Sequence, residues 1–176
     1  MPAIIILLTS MLFQTTMVLF DFTIQSTVTK WKIVDDAVMG GRSSGAFALN
    51  SDGFGVFEGT VSLENNGGFS MVQYRFAAKN VNSYSKVCIK LKGDGKAYQF
   101  RIKTNARDAH SYIASITTDG EWQTIEIPFA TMYPAFRGRT LNIGNYAGEQ
   151  MEMIAFLIGN KKAESFKLEI DSIVLK

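Results

Sequence analysis

The fold class is clearest in residues 86–103, KVCIKLKGDGKAYQFRIK, where apolar and polar side chains alternate on both sides of a glycine-rich turn. In residues 86–92 every second side chain is aliphatic (Val87, Ile89 and Leu91), and the same alternation returns in residues 98–103 after Gly93-Asp-Gly95. Alternation with period two places one face of a strand in a core and the other in water. This segment therefore predicts two half-buried strands joined by a tight turn.

The same period extends outward along the chain. It predicts strands within residues 72–76 and 166–170, and further strands at 122–128 and 153–158, of which the last is apolar throughout and is expected to be central. Turn signals stand at 50–53, 65–68 and 119–120, and short helical turns are expected near 129–133 and 148–152. Many short strands separated by turns predict an all-β fold, an antiparallel β-sandwich or barrel.

Composition limits the class of protein. The chain has 176 residues, 47% of them hydrophobic and 19% charged, which suits one domain with a sizeable core and excludes a disordered chain. The net charge of +2 is too small to indicate nucleic acid by itself. One cysteine and one histidine cannot form an internal disulfide or a histidine-based metal cluster. With no repeat or linker, residues 18–176 are interpreted as a single domain.

Residues 1–17 are interpreted as a leader, because Met1 to Phe20 contains no charged side chain and begins with an apolar run. Three interpretations remain open: a degenerate signal peptide, a spurious extension upstream of a true start at Met17, or an anchor. Polar residues in the second half of this stretch argue against a stable membrane span. An exported or periplasmic location follows from the first interpretation and a cytoplasmic one from the second.

Eight of the 15 glycines fall between Gly40 and Gly68. Large apolar residues are threaded through this region, so the glycines indicate tight backbone geometry and not a flexible linker. Residues 38–44, VMGGRSS, lack the GxxxxGK[ST] pattern of a phosphate-binding loop.

Two motifs in this region, residues 31–44 (WKIVDDAVMGGRSS) and 57–69 (FEGTVSLENNGGF), closely resemble the complex I intermediate-associated protein 30 family. The resemblance covers essentially all of residues 18–176, and it includes Gly93-Asp-Gly95, Tyr98, Arg101, Trp122, Pro128 and Phe136. It implies a galactose-binding-like jelly-roll sandwich, in agreement with the alternation. Mitochondrial members of that family are assembly chaperones that bind an intermediate of respiratory complex I. The leading hypothesis is accordingly a non-enzymatic binding module that contacts a protein partner, such as an assembly intermediate of a membrane complex.

Three carboxylates in the two motifs are candidates for chemistry. If their loops meet, Asp35, Asp36 and Glu64 could bind a cation or act as an acid–base pair. The alternative is structural: the two aspartates accept backbone N–H groups in turns, and Glu64 pairs with an arginine.

The remaining motif residues are candidates for binding. Arg42, Ser43 and Ser44 could hold an anion, unless they only form loop structure. Asn65 and Asn66 could present amides to a sugar or a peptide backbone, unless they only form a β-turn or bulge. The candidate binding set is completed by Met39, Gly40, Gly41, Arg75 and Arg101.

Basic residues are concentrated between Arg75 and Arg107, where nine stand against a single acid, Asp94. If the strands that carry them are neighbours, they form one basic sheet face that attracts an acidic or phosphate-bearing partner. The alternative is a solvated face that discourages aggregation. Few aromatic residues accompany these cations, which disfavours single-stranded RNA. The cations concerned are Arg75, Lys86, Lys90, Lys92, Arg101 and Lys103.

No catalytic, metal or cofactor site is predicted. His110 lacks a placed partner, Cys88 is expected to be a quiet thiol, and the G-x-S-x-G motif is absent. Two alternative functions remain. A carbohydrate-binding module would use aromatic side chains in loops, and a hydrolase would need two of the motif carboxylates in one pocket. The aromatic candidates for a sugar platform are Tyr84, Tyr112, Tyr133, Phe136 and Tyr146.

Overall fold

A computed structural model describes residues 15–176, with the side chains of Val38 and Met39 left undescribed. The expected leader falls almost wholly outside these residues. Thirteen strands follow one another along the described chain: β1 (Met17–Asp21), β2 (Trp31–Asp35), β3 (Ser44–Leu49), β4 (Gly55–Val61), β5 (Ser70–Asn80), β6 (Lys86–Lys92), β7 (Ala97–Lys103), β8 (Ser111–Thr117), β9 (Trp122–Pro128), β10 (Tyr133–Phe136), β11 (Arg139–Thr140), β12 (Gln150–Ile158) and β13 (Glu164–Leu175).

The strands form two antiparallel sheets. The six-stranded sheet has the order β3-β4-β13-β6-β9, and β1 pairs with the far end of β13. The seven-stranded sheet has the order β11-β10-β8-β7-β12-β5-β2. The only helical segments among residues 15–176 are short 3₁₀ turns at Asp36–Met39, Glu64–Asn66 and Phe129–Thr131. None of the helical segments described could cross a bilayer.

The core lies between the sheets and is built from the side chains that point inward from each strand. Phe100 on β7 and Phe156 on β12 are fully buried with ring centroids 5.3 Å apart, and Ile89 and Leu168 of the six-stranded sheet belong to the same buried cluster. The predicted alternation thus holds on both sheets, and the apolar run at 153–158 is an interior strand with a neighbour on each side, as expected. The prediction of a jelly-roll sandwich is confirmed.

Two local expectations are wrong. Residues 148–152 contain no helical turn, because β12 begins at Gln150 and pairs there with Asn80. The basic strands are not all neighbours: β5 and β7 flank β12 in one sheet, whereas β6 lies in the other, between β13 and β9. Lys86, Lys90 and Lys92 therefore do not share a face with Arg75 and Arg101. The alternation identifies which face of a strand is polar, but it does not indicate which of the two sheets the strand joins.

Candidate functional site

The two glycine-rich motifs meet at one buried carboxylate. Asp36, at 1% exposure, accepts hydrogen bonds from the backbone N–H groups of Ser43 (3.0 Å), Gly68 (2.6 Å) and Phe69 (3.2 Å) and from the Ser43 hydroxyl. The first motif connects β2 to β3 and the second connects β4 to β5, so each crosses from one sheet to the other. We call this arrangement of residues 36–43 and 62–69 the Asp36 junction.

Asp35 forms a second set of bonds beside it. Its carboxylate accepts the Gly45 N–H at 3.0 Å and the Ser70 hydroxyl at 2.5 Å. Gly45 has no room for a side chain, since a Cβ there would lie 2.2 Å from the Ser70 oxygen. Both aspartates thus act as acceptors that fix the ends of strands β3 and β5.

The other motif residues lie on the outer surface of the junction. Arg42 Nη1 forms an ion pair with Glu64 Oε2 at 2.8 Å, with both side chains exposed, and the Asn65 amide donates to the Gly40 carbonyl at 3.0 Å. Asn65 and Asn66 have φ values of 55° and 60°, a left-handed conformation that asparagine tolerates. The Met39 side chain lies outside the described residues.

Glycine is required at Gly41 because it packs directly on the Asp36 carboxylate. A Cβ at Gly41 would stand 2.2 Å from Asp36 Oδ1. Gly40, at φ 88°, ends the 3₁₀ turn in a left-handed conformation. These two glycines let the chain wrap around a buried charge.

The chemistry of the junction is that of a structural anion. Burial alone raises the pKa of Asp36, but the hydrogen bonds from Ser43, Gly68 and Phe69 outweigh it, and the pKa lies below its ordinary value of 3.8. A general acid needs the opposite shift, because it must stay protonated near neutral pH. Among residues 15–176, no group of three or more histidine, cysteine, aspartate and glutamate side chains is arranged to hold a metal ion.

The lowered pKa of Asp36 predicts a loss of stability in acid. A carboxyl whose pKa is lower in the folded than in the unfolded state contributes stability above the unfolded value, and this is lost as the pH falls through the folded value. Asp94, whose pKa is also lowered despite its burial because Lys96 and Tyr98 donate to it, adds to the effect. We expect the melting temperature to hold between pH 7 and pH 5 and to fall steeply below about pH 4. Circular dichroism melts of the wild type and Asp36→Asn would check this, since the variant should show a shallower acid dependence.

A second feature, a groove of about 970 Å³, lies over the outer face of the seven-stranded sheet. Its lining runs from β2 and the junction, at Val34, Gly68 and Phe69, across the sheet to the β10–β11 turn at Arg137. Gly68 and Phe69 therefore belong both to the groove wall and to the bonds around Asp36. The groove and the junction are neighbours in space.

Register places the groove residues in rows across three strands. Met153 on β12 lies opposite Lys103 on β7 and Arg75 on β5. The next row contains Ala155 with Arg101 and Gln73, and the row after it contains Leu157 with Gln99 and Met71. Met153 and Leu157 line the groove yet are nearly fully buried. The long side chains beside them therefore form most of the exposed floor.

Two of the groove cations, Arg101 and Lys103, donate hydrogen bonds to uncharged acceptors. The Arg101 guanidinium donates twice to Gln99 Oε1, at 3.1 and 2.6 Å, and the Lys103 ammonium donates to the Asp108 carbonyl. Burial lowers the pKa of both Arg101 and Lys103, and the neighbouring Arg75 lowers that of Lys103 further, although the nearby Asp108 charge opposes this shift. None of the six ion pairs found among residues 15–176 involves a groove cation.

Of the residues predicted to bind, the structure brings together two groups. Residues 35–43 and 64–66 meet in or around the junction, and Arg101 lines the groove while Arg75 lies beside it in a smaller cleft with Lys30 and Lys32. Sequence reasoning missed Met71, Gln73, Gln99 and Lys161. The alternation on β5 and β7 indicates on which face of its strand each of these side chains lies, but no signal in the sequence indicates that this face of the sheet is open.

The remaining candidates from the sequence, which are aromatic residues, His110 and Cys88, differ in whether they reach the groove. Tyr146 is buried and donates to the Gln150 carbonyl at 2.7 Å, so it cannot serve as an exposed sugar platform. Phe136, at 40% exposure, does line the groove. His110 packs edge-on against Tyr112. Cys88 is buried beside Glu126, and burial raises the pKa of its thiol, as expected of an unreactive cysteine.

Two antiparallel sheets with an open groove on one outer face form a jelly-roll β-sandwich. A family 11 carbohydrate-binding module from a cellulosomal cellulase of Clostridium thermocellum has this fold: it superposes with a TM-score of 0.68 at 20% identity, over 92% of this chain and 94% of the module. At that identity the likeness establishes the fold alone.

The chain belongs to the Complex I intermediate-associated protein 30 family, whose sequence model matches residues 20–170. It is 25% identical over 184 residues to the mitochondrial Complex I intermediate-associated protein 30 of Drosophila melanogaster, which covers 90% of this chain and 62% of the fly protein. With the Mus musculus protein it shares 22% identity over 89% of this chain and 55% of the relative. The chain therefore spans little more than half the length of these relatives.

Proposed function

We propose that this chain is a non-catalytic binding module that holds a protein partner during the assembly of a larger complex, and that the partner lies in the groove over the seven-stranded sheet. The observation that carries the proposal is the groove itself, which combines an open volume of about 970 Å³ with both apolar and cationic side chains. Family membership supports an assembly role, since the relatives are named for association with an intermediate of complex I.

The motif carboxylates support a binding role over a hydrolytic one. Asp36 is saturated by four donors and its pKa is lowered, whereas a hydrolase of this kind would need two carboxylates facing one pocket, one of them with a raised pKa. The groove lining contains neither aspartate nor glutamate. No residue of the groove lining could therefore serve in an acid–base pair of carboxylates.

The proposal is tested by site-specific crosslinking in the cells that produce the chain. A photoreactive amino acid at Gln73, half-buried on the groove side, should yield a discrete adduct with one protein that co-migrates with an assembly subcomplex. The matched control is the same amino acid at Thr124, an exposed position on β9 in the other sheet. Equal adducts from both positions, or none from Gln73, would contradict a partner in the groove.

A carbohydrate ligand is the second candidate, and the aromatic rings of Phe69 and Phe136 in the groove lining favour it. Stacking on sugar rings would use such side chains. Calorimetric titration with neutral β-glucan oligosaccharides distinguishes the two candidates. Saturable heat that disappears in Phe136→Ala would support a carbohydrate ligand. The absence of heat across several classes of glycan would contradict it and favour the protein partner.

A further inference from the structure

The cations around the groove sit on both its floor and its rim. Arg101 and Lys103 are half-buried on β7, and Arg137 and Lys161 are exposed at the two turns that border the groove. These four are the only charged residues in the lining, and none has a carboxylate within ion-pair distance in the described chain. The groove lining therefore carries four positive charges and no carboxylate, and the nearby charge of Asp108, outside the lining, acts on Lys103 alone among the lining cations whose pKa is shifted.

The two rim cations occupy backbone conformations that their residue types disfavour. Arg137 has φ 48° and Lys161 has φ 58°, and the only other non-glycine residues with positive φ among residues 15–176 are Asn65 and Asn66. Arg137 precedes Gly138, at φ 76°, in the two-residue turn between β10 and β11. A turn with positive φ at both central positions favours Asn-Gly or Gly-Gly. Long side chains at such positions cost stability, and costs of this kind cluster at functional sites.

The floor carries a similar cost. Arg75, on β5 beside the groove, and Lys103, on β7, flank Met153 from the two strands next to β12, and the positive charge of Arg75 lowers the pKa of Lys103. A negatively charged occupant would remove this repulsion. The four cations of the groove lining, none of them in an ion pair within the described chain, are thus best explained by a ligand that supplies negative charges.

We infer that the groove binds an acidic polypeptide segment, with Arg101 and Lys103 meeting carboxylates on its inner side and Arg137 and Lys161 holding it from the rim. This inference rests on the proposed function, which supplies the polypeptide class. Charge complementarity supplies the acidity, and the aliphatic lining at Val34 and Met71 suits side chains of a peptide better than stacked bases.

The test uses fluorescently labelled poly-L-glutamate of about 20 residues as the probe and measures its dissociation constant by anisotropy at low salt. For the double variant Arg137→Gly/Lys161→Gly we expect at least a tenfold weaker affinity, which follows from the loss of two charged contacts. Its melting temperature should equal or exceed that of the wild type, since glycine adopts positive φ without strain. The combination of weaker binding and undiminished stability is not expected of residues that serve the fold.

The matched control removes two charges from the opposite sheet, in Lys90→Gln/Lys92→Gln. Its affinity should stay within twofold of the wild type. If both variants lose affinity equally, net charge explains the binding and the inference is overturned. An unchanged affinity in the groove variant overturns it as well.

Two further probes separate the classes of anion. Polygalacturonate and polyuridylate carry comparable negative charge on a polysaccharide and on RNA. Tighter binding of either one than of poly-L-glutamate, with the same dependence on Arg137 and Lys161, would overturn the polypeptide assignment. Failure of the inference differs from failure of the proposed function: a crosslinked partner whose contacting segment lacks acidic residues refutes only the former, and the absence of any groove adduct refutes the latter.

Discussion

Asp36→Ala is expected to lower the free energy of unfolding by about 4 kcal/mol, because it removes the acceptor for three backbone N–H groups and one hydroxyl in a buried site. Bonds to a charged group are worth roughly 1.5–3 kcal/mol each, and they do not add fully when they share one acceptor. A loss of this size is a large fraction of the roughly 5–15 kcal/mol that stabilises a typical domain. Urea denaturation followed by tryptophan fluorescence measures it.

Asp52→Ala is the matched control for this substitution. Asp52 is exposed in the turn before β4, and among the described residues its backbone N–H donates to Asn50 while its side chain has no hydrogen-bond partner. Its replacement should change the free energy of unfolding by no more than about 0.5 kcal/mol. Similar unfolding curves for the two variants would show that the junction does not hold the fold together.

Gly59→Ala is expected to cost about 3 kcal/mol, because the new methyl group would meet backbone and not a movable side chain. A Cβ at Gly59 would lie 2.0 Å from the Ser44 carbonyl oxygen and 2.9 Å from the Gly45 Cα on the neighbouring strand β3. Overpacking of this kind displaces the backbone, so pairing between β3 and β4 must open locally. Thermal unfolding and amide exchange of the β3 backbone would measure both effects.

Gly144→Ala provides the comparison. Nothing lies within 4 Å of a Cβ at Gly144, so the added methyl group should leave the melting temperature within about 2 °C of the wild type. If Gly59→Ala proved equally neutral, the close approach of β3 and β4 would not be a constraint on the fold.

The strands could be predicted from the sequence because their signal is local. Residues 122–128 form β9 at the bounds that the alternation indicates, and the turn at 129–131 follows as expected. The sequence predicts a helical turn at 148–152 because Gly148 and the polar Glu149 and Gln150 are typical of turns, but pairing of β12 with β5 overrides that preference. The sequence predicts that Tyr146 is an aromatic residue in an exposed loop, yet it is buried and packs against Phe129 and Tyr112.

The site was harder to predict because it depends on distant pairs. The sequence indicates that Asp36 lies in a turn, but the donors from Gly68 and Phe69 stand more than 30 residues away. It also indicates which side chains on β5 and β7 are polar, but not that β12 lies between them or that β6 joins the other sheet. Sheet membership follows from the whole topology, which no single stretch of sequence encodes.

Because Gly68 and Phe69 take part in both the groove wall and the bonds to Asp36, the position of one wall of the proposed binding groove depends on the Asp36 junction. Ser43 and Gly41 lie outside the groove lining, but a substitution at either would disturb the bonds to Asp36. The resulting displacement of Gly68 and Phe69 would lower the affinity for a partner in the proposed groove. Screens for loss of partner binding should therefore recover two kinds of variant, and only the kind that retains a wild-type unfolding curve reports on contact with the partner.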